Sequence, residues 1–188
     1  MKFLASLYLT NRLFILLGCI VTGFIISYSF QFLFYPLQLL FFALIVFLII
    51  DILMLYRLNN AIFARRETPE HLSNGDENDL SIYIENKYSF LCSLGIIDEI
   101  PYQFQKRDLY FKLKLKPGET KIIQYNLRPT ERGEYHFGAV NVYAGSQLGL
   151  TKRRFRFSQN VVVPVYPSYL QLRQYELMAF THRLTDIG

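Results

Sequence analysis

Three histidines, two cysteines and a scatter of carboxylates are the residues of this chain that could hold a metal or move a proton. His71, His136 and His182 are far apart, and none has an i+4 partner or a nearby cysteine pair, so no metal-ligand spacing is present. The adjacent carboxylates Asp98 and Glu99 would project to opposite faces of a strand, which suits no shared acid–base site. Asp76, Glu77 and Asp79 crowd one loop without the residue order of a calcium loop. Neither a phosphate-binding G-x-x-x-x-G-K loop nor a G-x-S-x-G nucleophile turn occurs. These absences point away from an enzyme, and no catalytic, cofactor or metal residue is nominated. The remaining candidates are cations: Arg57, Arg65 and Arg66, then Lys152, Arg153, Arg154 and Arg156. They could contact anionic lipid headgroups or a partner. The second group also reads as a solvated strand edge, where lysine and arginine deter unwanted pairing. No nucleic-acid-binding motif accompanies them, so nucleic acid is not an expected partner.

The elements that would position these cations begin with a long apolar run. Leu13 to Ile50, 38 residues, carries no charge, and Asp51 is the only charge before Arg57. A bilayer core about 30 Å thick takes about 20 helical residues, so the run must fold back. Ser27, Tyr28, Ser29 and Gln31 dilute it, and Tyr35-Pro36 follows. Proline disfavours helix in the residue before it and suits the first turn of a new one. Two spans are predicted, Leu13–Phe32 and Leu37–Tyr56, as a transmembrane helical hairpin over residues 13–56. A signal peptide or a lipoprotein anchor at Leu16-Leu17-Gly18-Cys19 is the rival. Only the five residues Leu13–Leu17 separate Arg12 from Gly18, short of the roughly 7–15 of a signal-peptide core. Lys2 and Arg12 precede the first span, the arginines follow the second, and the loop between has no Lys or Arg. That asymmetry places both ends in the cytoplasm, with residues 1–12 as a cytoplasmic N-terminus. Asp51 lies within a span, where an ionisable residue is a functional candidate. The simpler reading pairs it with Arg57 or lets it reach the interface. Cys19 and Cys92 are not expected to form a disulfide.

After the hairpin the hydrophobic period changes. Residues 57–78 read as a juxtamembrane connection, extended near Ile62–Arg66 and turn-rich over Thr68–Asp79. Over residues 79–166 the expected strands are Leu80–Glu85, Phe90–Ile97, Leu109–Leu115, Thr120–Leu127, Tyr135–Tyr143 and Phe155–Val165. Tyr102–Asp108 reads as a loop or edge strand, and Lys112 and Lys114 share one face of their strand. Local strands with no helical pattern between them predict an antiparallel immunoglobulin-like β-sandwich. Tyr135 and Phe137 point to one face, the Tyr135 hydroxyl is placed to anchor a sandwich corner, and Gly138 predicts a bulge or kink. Leu148-Gly149-Leu150 reads as a turn followed by an apolar plug. Residues 167–188 read as a short helix, over Leu170–Ala179, or a linker that stops early.

The order of these features resembles a family. A two-span hairpin precedes a sandwich carrying Asp98-Glu99-Ile100-Pro101, Arg132-Gly133-x-Tyr135-x-Phe137-Gly138, Leu148-Gly149-Leu150 with basic residues after it, and Val165-Tyr166-Pro167. This is similar to the N-terminal half of the bacterial membrane proteins that carry domain of unknown function fifty-eight. The resemblance covers essentially the whole chain and rests on the order and spacing of the motifs. It departs before Leu148, where Gly145-Ser146-Gln147 stands in place of the family's common Asp-Pro-Phe. The resemblance implies a bacterial inner-membrane location and a gene beside one for a MoxR-type AAA+ ATPase, which would be a partner. It also implies a further C-terminal half similar to a von Willebrand factor A domain. Any metal-dependent adhesion chemistry would sit there, so no metal residue is carried over to this chain. The expectation is a membrane-anchored, non-enzymatic protein presenting a cytoplasmic β-sandwich as an interaction or assembly module, with the lipid bilayer as its first partner. The alternative is an anionic-lipid-binding or envelope-structural protein that uses its basic patches.

Overall fold

The computed structural model describes residues 5–105 and 109–168. The apolar run forms two helices, α1 (Asn11–Ser27) and α2 (Phe34–Tyr56), linked through a 3-10 turn at Gln31–Leu33. Their ends differ from the expected limits for local reasons. The Ser27 hydroxyl donates to the Phe24 carbonyl at 2.7 Å where α1 stops. Pro36 lies in the first turn of α2, where its missing N–H costs no hydrogen bond. Gln31–Tyr56, 26 residues, is long and apolar enough to cross a membrane by length and composition, whereas Asn11–Ser27 is shorter. The helices pack together through Leu13, Ile20 and Leu44. Their outward sides leave Phe14, Ile15, Ile25, Leu39, Phe47 and Leu53 exposed. A contiguous apolar surface of this kind calls for lipid or another protein against it.

The remainder is an all-β antiparallel sandwich. Its strands are β1 (Leu7–Leu9), β2 (Ile62–Glu67), β3 (Leu72–Ser73), β4 (Asn78–Asn86), β5 (Cys92–Asp98) and β6 (Leu109–Leu115). They continue as β7 (Thr120–Leu127), β8 (Gly133–Phe137), β9 (Val140–Gly145), β10 (Thr151–Phe157) and β11 (Val161–Tyr166). One sheet has the order β1-β10-β9-β5-β6, and two three-stranded sheets have the orders β3-β11-β8 and β2-β4-β7. The pairing of β3 with β11 is parallel. All three sheets contribute to one core, with Ile82 and Ile84 from β4, Leu94 and Ile96 from β5, Val140 and Val142 from β9, and Val163 from β11. Each such side chain contributes about 1.5–3 kcal/mol on burial.

Two expected strands are each divided between sheets. Tyr135–Tyr143 becomes β8 and β9, so Gly138 marks a crossing from one sheet to another rather than a bulge within one strand. A Cβ on Gly138 would lie 2.6 Å from Glu99 Oε2, so the chain makes this crossing only without a side chain. Phe155–Val165 becomes β10 and β11, separated by a turn in which Ser158 and Asn160 have φ of 47° and 55°. Strands also lie where none was expected. β1 sits in the N-terminal arm and pairs with β10, and β3 falls in the turn-rich loop. Both are too short for alternation to register. The extended stretch near Ile62–Arg66 is β2, paired with β4. Tyr102–Phe104 is a 3-10 turn. Residues 106–108 of the expected loop or edge strand, and residues 169–188 of the expected helix or linker, His182 among them, lie outside the described residues.

Tyr135 holds the corner. Its ring is buried and its hydroxyl donates to the Glu131 carbonyl at 3.0 Å. Tyr135→Phe keeps the ring and removes the bond, so a loss of about 1 kcal/mol is expected, read as a lower thermal midpoint with unchanged circular dichroism. Cys19 and Cys92 are both free. Burial pushes the Cys92 thiol up to about 12, against a smaller opposing effect of its contact with the Gly145 carbonyl.

Candidate functional site

The helix pair and the sandwich meet through buried polar contacts centred on Asp51. Its side chain is fully buried. The Thr151 backbone N–H and hydroxyl donate to Asp51 Oδ2 at 2.7 and 2.8 Å, and the Ser146 hydroxyl donates to Oδ1. Sequence reasoning flagged Asp51 but assigned it to Arg57 or the interface. Arg57 is instead exposed at the C-cap of α2, and the carboxylate faces the sandwich. A carboxylate buried this far persists only when donors meet it. They come from residues 95 and 100 positions away in the chain, which no sequence pattern links to it. Gly149, with φ of +68°, closes the turn that carries Ser146. The Leu148 N–H donates to Ser146 Oγ at 3.1 Å. Leu150 then packs with Leu13 and Leu44 of the helices.

The end of α2 is capped from the sandwich as well. The Tyr88 hydroxyl and Arg153 Nη1 both donate to the Leu55 carbonyl, at 2.7 and 2.8 Å, and Arg153 Nη1 also reaches the Leu58 carbonyl at 2.7 Å. A cation on the last carbonyls of a helix offsets its dipole. The Arg153 guanidinium also lies 4.5 Å from the ring centre of Tyr56 and 4.6 Å from that of Phe155. From the other side, the Thr10 hydroxyl donates to the Gly149 carbonyl at 2.7 Å, and β1 extends the sheet beside β10. The entry to α1 and the exit from α2 are thus both fastened to one part of the sandwich, which makes a seat rather than a tether.

The basic run divides by the two-residue period of a strand. Arg153 turns inward to the helix end, while Lys152, Arg154 and Arg156 occupy the opposite face of β10. Arg154 lies 5.6 Å from the Tyr8 ring centre. β1 pairs with β10 only over Thr151–Arg153, so the N-terminal arm covers the edge at Lys152 and Arg153, while Arg154 and Arg156 lie beyond that pairing and keep the edge position expected of them. Lys152, Gly145, Ser93 and Lys114 are register partners in one row across β10, β9, β5 and β6. Two lysines therefore flank a floor of glycine and serine. That floor, the N-terminal arm and Arg12 enclose a cavity of about 550 Å³ whose lining includes no carboxylate.

Glu99 lies farther along the same sheet. Burial alone would raise its carboxyl. The Ala139 N–H at 2.9 Å, the Asn141 amide at 2.7 Å and the charges of Arg156 and Arg154 outweigh that, and hold it below the usual carboxylate range. A depressed folded value contributes stability above the ordinary carboxylate pKa, and that contribution is lost as pH falls through the folded value. Thermal midpoints measured between about pH 6 and about pH 3 are therefore expected to fall less steeply for Glu99→Gln than for the wild type.

The other nominated residues separate clearly. Arg57 and Arg65 are exposed. Arg66 is not a surface cation: it is buried, with Nε donating to Asp98 Oδ2 at 3.1 Å, and Nη2 donating to Asp98 Oδ1 and, at 3.1 Å, to the Gly138 carbonyl. The Tyr125 hydroxyl donates to the same Asp98. Arg66 also lies 5.0 Å from the ring centre of Phe137, itself buried. Arg132 and Gly133 are exposed at the start of β8. Among the described residues, no group of three or more His, Cys, Asp or Glu is placed to hold a metal ion.

No family model and no curated protein sequence matches the chain. Solved structures do resemble it. A CARDB domain from Pyrococcus furiosus, solved in complex with di-metal ions, is 15% identical, covers 56% of this chain and 87% of its own, and has a TM-score of 0.40. A PapD-like domain of human CEP192 is 12% identical over 57% of this chain and 87% of its own, with a TM-score of 0.42. The C-terminal domain of wzt is 16% identical over 57% and 75%, with a TM-score of 0.38.

Proposed function

We propose that this chain is a non-catalytic interaction module held at a membrane: α1 and α2 cross the bilayer as a hairpin, both ends lie in the cytoplasm, and the sandwich is presented at the inner surface. The seat around Asp51 carries this reading. A domain needing only attachment could hang from a flexible linker. Here the buried carboxylate and the terminal carbonyls of α2 are satisfied by the sandwich, which gives it a set orientation over the helices. In the sequence, Lys2 and Arg12 precede the apolar run and Arg57 and Arg65 follow it, with no Lys or Arg between, which supports the cytoplasmic orientation. The resemblance to proteins carrying domain of unknown function fifty-eight names the partner as a MoxR-type AAA+ ATPase, acting in assembly or maturation of other proteins. That ATPase should co-purify with the tagged full chain from gently solubilised bacterial membranes. Its absence from such preparations would remove the partner claim while leaving the anchored module in place.

A second reading, contact with anionic lipid, is favoured by the outward row of Lys152, Arg154 and Arg156, which shares a face of the five-stranded sheet with Lys112 and Lys114 on β6, across β9 and β5. Such contact would weaken with salt, and charge reversal at Arg154 and Arg156 is expected to abolish it.

A further inference from the structure

We propose that the cavity between the N-terminal arm and the outer face of the five-stranded sheet is a binding site for a phosphate-bearing anion, with Lys114, Lys152 and Arg12 supplying the charge. Four observations converge on it. The register row places Gly145 and Ser93 between the two lysines, so there is open floor where other side chains would stand. Three strand spacings put the lysine backbones about 14 Å apart, a gap that two lysine side chains can close around one anion. The cavity lining contains those lysines and Arg12 but no carboxylate, and no ion pair among the described residues uses any of the three. The lining itself is therefore net positive, and the Asp51 carboxylate behind it is already met by Ser146 and Thr151. Finally, α1 opens into the cavity at Asn11 and Arg12 with no acidic residue in its first turn and no side-chain cap on its N-terminus. The positive end of the helix dipole adds to the same field.

The location narrows the ligand. Arg12 is two residues before the exposed apolar run that begins at Phe14. If α1 enters a bilayer there, the cavity mouth lies at headgroup depth, and the anion is the phosphate of an anionic phospholipid. That source rests on the membrane-anchored reading above; the charge and shape of the cavity do not.

The test uses the full chain in non-ionic detergent. Short-chain phosphatidylglycerol, short-chain phosphatidylcholine and inorganic phosphate are titrated separately, with binding followed through the amide resonances of Ser93 and Gly145. Saturable binding of phosphatidylglycerol is expected. Lys114→Ala and Lys152→Ala should each weaken it by about tenfold or more, the effect of losing one charged hydrogen-bond donor. Ser93→Leu, at an exposed position, should block it without removing charge. Lys121→Ala on another sheet should leave it unchanged. Thermal midpoints equal to wild type for the three cavity variants show that the fold is retained. Inorganic phosphate binding as tightly as the lipid assigns the site to free phosphate, and much weaker binding assigns it to a headgroup; either result supports the proposal. No saturable binding of any phosphate compound, or equal affinity in wild type and cavity variants, overturns it. Recovery of the protein from the soluble fraction of cells would defeat the membrane reading alone, and the phosphate titration would still decide the site.

Discussion

Asp51→Ala is expected to unseat the sandwich from the helix pair. The substitution removes the acceptor for the Thr151 N–H, the Thr151 hydroxyl and the Ser146 hydroxyl, all at a buried position. Hydrogen bonds to a charged group contribute about 1.5–3 kcal/mol each, and donors left unmet in a dry interface add a further penalty. A total loss of about 3 kcal/mol or more is expected for this joint, although the bonds are not additive. The sandwich core does not depend on Asp51, so the effect should be local. Hydrogen exchange reads it directly. The Thr151 amide, which donates to Asp51 Oδ2, should exchange far faster in the variant, while the amides of Ile82 and Ile84 in β4 stay protected. Asp51→Asn retains one acceptor but turns an NH₂ group toward other donors, and an intermediate exchange rate is expected. Unchanged protection of Thr151 in Asp51→Ala would show that the seat is held by something else.

Asp98→Ala is expected to have the largest effect on the sandwich itself. Asp98 is almost fully buried, and it accepts from Arg66 Nε, Arg66 Nη2 and the Tyr125 hydroxyl. Its removal strands a buried guanidinium, one of whose nitrogens, Nη1, already lacks a partner among the described residues. Breaking a buried ion pair from one side costs about 3–5 kcal/mol, a large part of the roughly 5–15 kcal/mol that holds an ordinary domain folded. Replacing both partners differs in kind, because no charge is left behind. Asp98→Leu with Arg66→Met should recover much of the loss in urea denaturation. A single Asp98→Ala variant as stable as wild type would contradict the role given to the pair. Tyr125 belongs to the same network: burial first, then the neighbouring Asp98 charge, pushes its phenol well above its ordinary value, so it remains a donor throughout the physiological range.

Much of this architecture was legible from periodicity. The apolar run diluted by Ser27, Tyr28, Ser29 and Gln31 reads as two helices, with the break at those residues and Tyr35-Pro36 already inside the second. The alternation of Leu80, Ile82 and Ile84 reads as a half-buried strand. The position of Arg66 was legible in principle, since Ile62, Ala64 and Arg66 share one face of β2 and the first two are apolar. What masked it was charge: a buried arginine makes sense only once Asp98, 32 residues away, is known to meet it. Gly138 breaks the alternation, but a change of sheet and a bulge leave the same mark on it. β1 was hidden because three residues carry no period. With β1 hidden, so was the covering of Lys152 and Arg153 by the N-terminal arm, while Arg154 and Arg156 lie beyond that pairing. The cavity was invisible for a related reason, since Arg12, Ser93, Lys114, Gly145 and Lys152 come from separate segments aligned only by strand register.

The most direct test of a sandwich seated on a membrane hairpin is protease protection from each side of the membrane. Proteinase K is added to spheroplasts and, separately, to inverted inner-membrane vesicles from cells producing the full chain, with detection by an antibody against the sandwich. Survival of the sandwich in spheroplasts and its digestion in inverted vesicles is the expected result. Digestion in intact spheroplasts would reverse the orientation, and recovery of the protein outside the membrane fraction would contradict the anchor itself.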